Sequence, residues 1–482
     1  MTTPGSTSSP LAAAPAGRHR HSAPSQLERI TMIHVGVLVI LSAWAFGGAA
    51  TWARSLVAGW GSLALLITLA ARWNRDPRHP HFPSPLPWLW PVAALNALVV
   101  ASCFNPSFAA LSFGAEPLLA HTGAAYPHLP STALPAASLE HLWLFDAIYL
   151  SAFNLTLTVR RRRTLRRLLL LALGNAVALA VFGTFQRLVS SGLFFGLVPA
   201  PNPRFFATFV YGNHWGAYVV LMIAIGLGLV FYYARQSDGD EPGQSPVALV
   251  AVAIALMAIT PALAGSRAGL LLVAALLGWA AIDTLLRLAR RRRSHGESAA
   301  LPVAGLLACG LLVVGGAVYL GREPLRERWQ DTQGQIQSGF LRERLDLYRD
   351  TLQLAKAEPA FGWGLASFER SLQLVRPRPV EENRQYEHSY VDAHSDWLQA
   401  LAELGVVGGL LLLLAGLLPL HQSHVLKHAG SLVRYLLAGG ALVLAYATVE
   451  FPFANPAVTT AFWLIYFVAV HYVRLSVRNE PR

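Results

Sequence analysis

Charge is scarce in this chain. Of its 482 residues only 13% are Asp, Glu, Lys or Arg, while 54% are hydrophobic. A soluble domain carries about 25% charged residues, so half that share excludes an ordinary globular enzyme and indicates a polytopic membrane protein. The mean hydropathy of +0.43 agrees. Cysteine is nearly absent: Cys103 and Cys309 lie in separate apolar runs, which excludes a disulfide framework or a CxxC metal site. The polar stretches do not amount to a soluble catalytic domain of ordinary size. Acidic residues are outnumbered by basic ones, 26 against 38, for a formal net charge of +12. Such an excess raises nucleic acid as a partner, and the placement of the arginines decides the matter.

Long apolar runs are what the sequence has instead. A helical span needs roughly 17–25 mostly apolar residues, and twelve stretches qualify: Ile30–Ala50, Leu56–Ala71, Leu86–Phe104, Leu142–Val159, Leu168–Phe185, Phe206–Ala234, Val247–Leu263, Ala268–Leu286, Ala299–Leu320, Trp397–Leu420, Leu432–Val449 and Ala457–Val473. The expected fold is all-α, a polytopic integral membrane protein of about twelve helices. Residues 1–29, rich in Ala, Pro and Ser, read as a disordered tail. Residues 30–320 then hold spans one to nine, 321–396 a long partly helical outer loop, 397–474 the last three spans and 475–482 a short tail. The first span is too long for a cleaved signal core.

Lysine and arginine accumulate in cytoplasmic loops. With the N-terminus inside, the inner segments collect more than half of the basic residues, including the block "RRRRTLRR" from Arg160 to Arg167. The short outer loops hold only Arg54, Arg187, Arg204 and Arg267. The remainder sit in the long outer loop, which is exempt from the bias. The basic blocks are therefore topology signals with anionic lipid contact added, and no nucleic-acid partner is expected. Both termini are expected in the cytoplasm.

On that topology the remaining polar groups converge on one face. Arg187 follows span five and Arg204 precedes span six, and Asn213 and His214 fall two turns into span six. Arg267 lies in "GSRAG", whose glycines suit a tight turn while its arginine is not required by one. Glu450 ends span eleven on the same face. In the long loop, "RERLDLYRDTLQLAKAEP" reads as an amphipathic helix with Leu345, Tyr348, Leu352 and Ala355 on its apolar face and Pro359 closing it. "FGWG" supplies turn glycines and Trp363 for stacking. "DGD" at Asp238–Asp240 resembles a metal-binding pair but falls in an inner loop away from the rest, so no metal site is expected. In "VDAHSDWLQALAELG", Asp396, Gln399 and Glu403 share a helix face. Asp396 is placed to cap the helix, and Glu403 to face the interior against an outer arginine. His394 stands just before the helix, and histidine is the side chain suited to proton transfer near neutrality. Ionisable groups within spans mark function. An arginine cluster for a phosphate beside a histidine base is equipment for displacing a pyrophosphate leaving group with a hydroxyl.

Three stretches resemble the O-antigen ligase and Wzy-type polymerase family of bacterial envelope glycosyltransferases. "RFFATFVYGNHWGAYV" looks like its Gly-Asn-x-Asn-His segment and "GSRAGLLLVAALLG" like its Ser-Arg-Gly/Ala segment. "RLDLYRDTLQLAKAEPAFGWGLASF", followed by "AHSDWLQALAELGVVG", has its Arg, Pro-x-x-Gly-x-Gly and Ala-His-Asn-x-x-Leu-Gln order. Together they span about 204–409. The resemblance implies a GT-C-like membrane glycosyltransferase. Its expected reaction is transfer of a glycan from an undecaprenyl-pyrophosphate carrier to a hydroxyl acceptor, lipid A-core or another glycan. The expected place is the periplasmic face of the inner membrane, with no cofactor or metal. Arg267 and Arg344 would bind pyrophosphate, with Arg204, Arg187, Asn213 and His214 adjoining. His394 would activate or orient the acceptor hydroxyl, and Glu403 and Asp396 would support it. Two departures are Ser395 in place of the usual Asn and Tyr348 where Trp is frequent. The competing expectation is a transporter of bicarbonate or another small anion, which would want polar groups near the midplane and a repeat between halves.

Overall fold

The computed structural model describes residues 24–73, 84–113, 116–189, 192–202, 205–236, 246–295, 340–376 and 390–477, with a few more between 310 and 326. Helix dominates. In chain order the long helices are α1 (Gln26–Trp44), α2 (Thr51–Ser62), α3 (Ala64–Trp73), α4 (Trp90–Cys103), α5 (Pro135–Thr158), α6 (Arg162–Val189), α7 (Gly212–Gln236), α8 (Val247–Leu263) and α9 (Arg267–His295). They continue with α10 (Phe340–Ala357), α11 (Phe368–Val375), α12 (Asp396–Gln422), α13 (Val425–His428), α14 (Ser431–Tyr446) and α15 (Pro456–Val477). Two small antiparallel hairpins, Phe108–Phe113 with Glu116–His121 and Leu193–Phe194 with Val198–Pro199, decorate the loops. The chain is an all-α polytopic membrane protein: among the described residues eight helical segments are long and apolar enough to cross a membrane, and α8 and α14 are apolar but shorter.

Eleven of the twelve predicted spans coincide with helices; the ninth, Ala299–Leu320, lies mostly outside the described residues. Residues 1–23 and the Asp238–Asp240 pair also lie outside them. Helix α1 starts earlier than read, at Gln26 behind a Ser25 cap, because Glu28 is buried and accepts from Thr164 Oγ1 at 2.5 Å. The second span is two helices in sequence, α2 and α3. Span six starts later, at Gly212, because Phe206 and Phe209 bridge each other in a turn that is as apolar as a helix. Asn213 and His214 consequently sit in the first turn of α7.

Helices α7 and α15 form the centre, enclosed on nearly every side; a helix apolar all round belongs in such a place. Trp463 of α15 meets Tyr149 of α5 edge-on at 4.7 Å, and Phe467 meets both Tyr149 and Phe153. Small residues let helices approach closely. A Cβ on Gly216 of α7 would stand 2.8 Å from Gly269 Cα of α9.

The two ends of the bundle differ. At one end Arg162 Nη2 donates to Leu475 O at 2.9 Å, Arg166 Nη1 reaches Tyr472 Oη at 3.1 Å, and Glu28 of α1 lies beside Thr164. At the other, near the start of α5, Ser138 Oγ donates to Leu365 O at 2.7 Å, and Phe453, just before α15, donates to Asp396. Helix α5 has 24 residues, about 36 Å at 1.5 Å per residue. The arginine block and the His394 loop are therefore a bundle's length apart. Arg287 of α9 approaches Ser431 at the arginine end, so α9 runs toward that end, whereas α10 lies at the His394 end.

Candidate functional site

Glu450, in the turn between α14 and α15, is the point on which the site is built. It is 8% exposed. Arg344 of α10 donates from Nη2 to its Oε1 at 3.2 Å and to the neighbouring Val449 carbonyl. Asn213 Nδ2 donates to the same Oε1 at 3.2 Å. The Glu450 carbonyl accepts from the Asp396 amide at 3.2 Å. Its second oxygen, Oε2, faces His394 Nδ1 at 3.8 Å, too long for a hydrogen bond and short enough for an ion pair once the ring is protonated. Burial pushes the Glu450 carboxyl up, but the adjoining His394 ring and the Arg344 guanidinium outweigh it and hold the group below the ordinary glutamate value.

His394 is held in an unusual backbone conformation, φ 52°, a region that costs a side-chain-bearing residue roughly 1–3 kcal/mol. Its surroundings fix it there. Tyr348 Oη, one turn on from Arg344, donates to the His394 carbonyl at 3.0 Å. Ser395 is the true N-cap of α12, its Oγ accepting from Leu398 N at 3.3 Å. Both departures from the family pattern thus have a use: the Tyr348 hydroxyl supplies a donor, and serine is a good cap. Asp396, read as the cap, is the first helical residue, and its Oδ2 accepts from Phe453 N at 3.0 Å. Phe451 packs its ring against His394 at 4.9 Å and stacks on Tyr211, and its carbonyl accepts from His214 Nε2 at 3.1 Å. The His214 acceptor fixes that ring as a donor at Nε2.

The "GSR" and "GNH" segments meet directly. Ser266 Oγ donates to Asn213 Oδ1 at 2.8 Å and accepts from Gly269 N at 3.1 Å, capping α9. Arg267 follows as the first residue of α9, exposed, where the positive end of the helix dipole disfavours a cation unless an anion joins it. Arg187 stands half-buried in the last turn of α6, at the same end of the bundle. Arg204 lies outside the described residues.

Glu403 does something other than pair with an arginine. Helix α12 is interrupted at Gly405 (φ 62°, ψ −169°), and the loop "PAFGWG" is fitted into the interruption. Trp363 N and Gly364 N donate to the carbonyls of Ala402 and Glu403 at 2.9 and 2.8 Å, while Val406 N and Val407 N donate to those of Pro359 and Ala360 at 2.9 and 3.0 Å. The loop supplies the partners that the broken helix lost, the condition for irregular backbone within membrane depth. The Glu403 side chain, 5% exposed, accepts from Ala366 N, Phe368 N and Gln399 Nε2. It pins the start of α11 to α12. Trp363 is correspondingly buried, donating to Leu354 O at 2.9 Å, and is no open stacking platform. The packed face of α10 is Leu347, Thr351, Leu354 and Ala355, whereas Leu345 and Leu352 are exposed; the side facing this loop is one position off the predicted stripe.

Hydrogen bonds and close contacts therefore unite Asn213, Arg344, His394 and Asp396, with His214 joined through Phe451. Glu450 is the residue that sequence reading placed on the right face without giving it a role; its one signal was a lone carboxylate in "TVEFPF" between two apolar runs. Asp392, two residues before His394, is pushed up by burial, with His394 and Arg54 opposing the shift.

Comparison with known proteins fits this geometry. No curated protein matches the chain. The sequence model of the O-antigen ligase family matches residues 252–413, which include Arg267, Arg344, His394, Asp396 and Glu403 but neither the Asn213–His214 segment nor Glu450. The resemblance carried by the motifs is thus met by this match, which covers a third of the chain and supports the O-antigen ligase family.

Proposed function

We propose that this protein transfers a glycan from an undecaprenyl-pyrophosphate carrier to a hydroxyl acceptor, either lipid A-core or a growing polysaccharide, at the periplasmic face of the bacterial inner membrane. The acceptor oxygen attacks the anomeric carbon of the donor sugar, and the bond from that carbon to the pyrophosphate breaks with its electron pair leaving on the carrier. His394 takes the hydroxyl proton. Arg344 and Arg267, with Arg187 and Arg204 adjoining, hold the charge that develops on the leaving pyrophosphate, a task that metal ions perform in other phosphate-transfer sites. Glu403 and Asp396 hold the elements that present His394.

The observation that carries this reading is the convergence of three separate sequence segments, around Asn213, Arg344 and His394, on a single carboxylate. The match to the O-antigen ligase family supports an activity of the ligase or polymerase type. The placement of the arginine block at the opposite end of the bundle supports the outward orientation. A transporter would gather its polar groups near the midplane, and this web lies at the helix ends. The test is the lipid-linked glycan profile of a deletion strain complemented with wild-type or Arg344→Ala protein. Shortened polymer or uncapped lipid A-core, restored only by wild type, is expected. A profile unchanged by deletion would overturn the reading.

A further inference from the structure

Glu450 serves two neighbours that want the same charge. Its Oε1 is engaged by Arg344 and Asn213, while Oε2 is buried and makes no hydrogen bond among the described residues. His394 Nδ1 is in the same condition, and the two atoms face each other at 3.8 Å. A movement of about 1 Å separates this contact from a hydrogen bond. What holds the carboxylate back is Arg344, whose Nη2 ties it and the Val449 carbonyl to α10. Arg344 Nε is itself buried without a hydrogen bond among the described residues, so the guanidinium has a donor to spare as well as a partner it can exchange.

We infer that Glu450 is a positioning residue handed from Arg344 to His394: an anion that draws the guanidinium toward itself frees the carboxylate to close on His394 Nδ1, which fixes the imidazole with Nε2 as the proton acceptor. Only the identity of the anion, the carrier pyrophosphate, rests on the function proposed above. The tautomer of a histidine is set by the hydrogen bond its other nitrogen makes. The carboxylate–imidazole pair then holds the ring for the proton that leaves the hydroxyl, as in other base–orienter pairs. Among the described residues no other charged group near the ring takes this role. Asp396 is engaged by Phe453 N, Asp392 is two residues back along the loop, and Asn213 and His214 of α7 are committed to Glu450 and Phe451. Tyr348 of α10 donates to the His394 carbonyl, and Tyr390 presents its ring 6.4 Å away. Order follows from the arrangement, since the base is set only when the donor site is filled.

The experiment uses the full chain in detergent micelles with 15N-labelled histidine, at a pH where the imidazoles are neutral. The His394 signals are identified by their loss in His394→Gln. Nitrogen shifts report the ratio of the two tautomers, and inorganic pyrophosphate is the probe, its binding measured separately by calorimetry. Saturating pyrophosphate is expected to move wild-type His394 at least tenfold toward the Nδ1–H form. Arg344→Ala and Arg344→Gln should show that form without any pyrophosphate, and Glu450→Gln should show no change on addition. Two arginine variants guard against one failing to fold. Bound pyrophosphate with an unmoved tautomer ratio would overturn the inference, as would wild-type ratios in both arginine variants. Failure of pyrophosphate to bind would instead sink the anion site of the proposed function, and the ligand-free arginine variants would still decide the hand-over.

Discussion

Gly405→Ala is the sharpest test of how this site is held together. At φ 62° and ψ −169° the residue occupies a region nearly restricted to glycine, and a side chain there costs roughly 1–3 kcal/mol. The new Cβ would also press on the Ala360 carbonyl and stand 2.5 Å from Phe361 N, and overpacking of that kind costs about 1–3 kcal/mol. Against this stand four backbone hydrogen bonds between the loop and the helix break, each worth roughly 0.5–1.5 kcal/mol net. Strain and bonds are comparable, so the loop should open more often, by about 3 kcal/mol or roughly a hundredfold. Hydrogen–deuterium exchange read on peptides covering residues 359–366 and 402–407 measures this. Gly409→Ala is the matched control: four residues along the same helix, its Cβ would meet nothing within 4 Å, and alanine should be neutral or stabilise by up to about 1 kcal/mol. Because α10 carries Arg344 and Tyr348 into the site, Gly405→Ala should also lose glycan transfer while Gly409→Ala keeps it. Wild-type exchange in Gly405→Ala would refute the account of the inserted loop.

Replacing Arg344 or Arg267 with Ala should abolish transfer at normal expression, and Lys should rescue poorly because an ammonium lacks the bidentate fork; full activity in Arg267→Ala would remove it from the anion site. His394→Gln keeps a hydrogen-bonding side chain but cannot take the proton, so turnover of carrier-linked glycan should fall roughly 10²- to 10⁴-fold; wild-type turnover would leave His394 a structural helix-start residue. Glu450 is held below its ordinary value of 4.5, so its contribution to stability is present above that pH and lost as pH falls through the lower folded value. The difference in thermal unfolding between wild type and Glu450→Gln should therefore shrink progressively as the pH is lowered past that ordinary value, and a difference that does not shrink on acidification would count against the ion pair. Asp392 has the opposite sign: burial raises it, so its ionisation opposes folding as pH rises past the ordinary carboxylate range. Asp392→Asn should raise the unfolding temperature at neutral pH and leave it unchanged in acid.

The helices of the bundle were legible because hydropathy reports burial in lipid or in a core alike, and α10 because its period and closing proline are local signals. The same indifference misplaced the start of α7, where Phe206 and Phe209 are buried in a turn. His394 and Arg344 were legible by residue type and motif. The work of Glu403 was not, since its partners are backbone amides of a loop more than thirty residues away, and backbone donors leave no trace in composition. Gly405 reads as one more tolerated glycine in an apolar helix. Glu450 escaped because its value lies entirely in contacts with residues 106 and 237 positions distant.

That distance has a consequence for biosynthesis. The matched ligase segment ends at residue 413, yet the carboxylate that gathers Asn213, Arg344 and His394 arrives 37 residues later, in the turn that leads into the final helix. A nascent chain that has released Asn213, Arg344 and His394 from the ribosome still lacks the group that holds them together. Until α14 and α15 have joined the bundle, Glu450 cannot reach the end that carries the His394 loop. Translation halted after α12 should therefore leave a membrane-inserted chain in which Asn213, Arg344 and His394 are not gathered and which shows no transfer, although every residue of the matched segment is present.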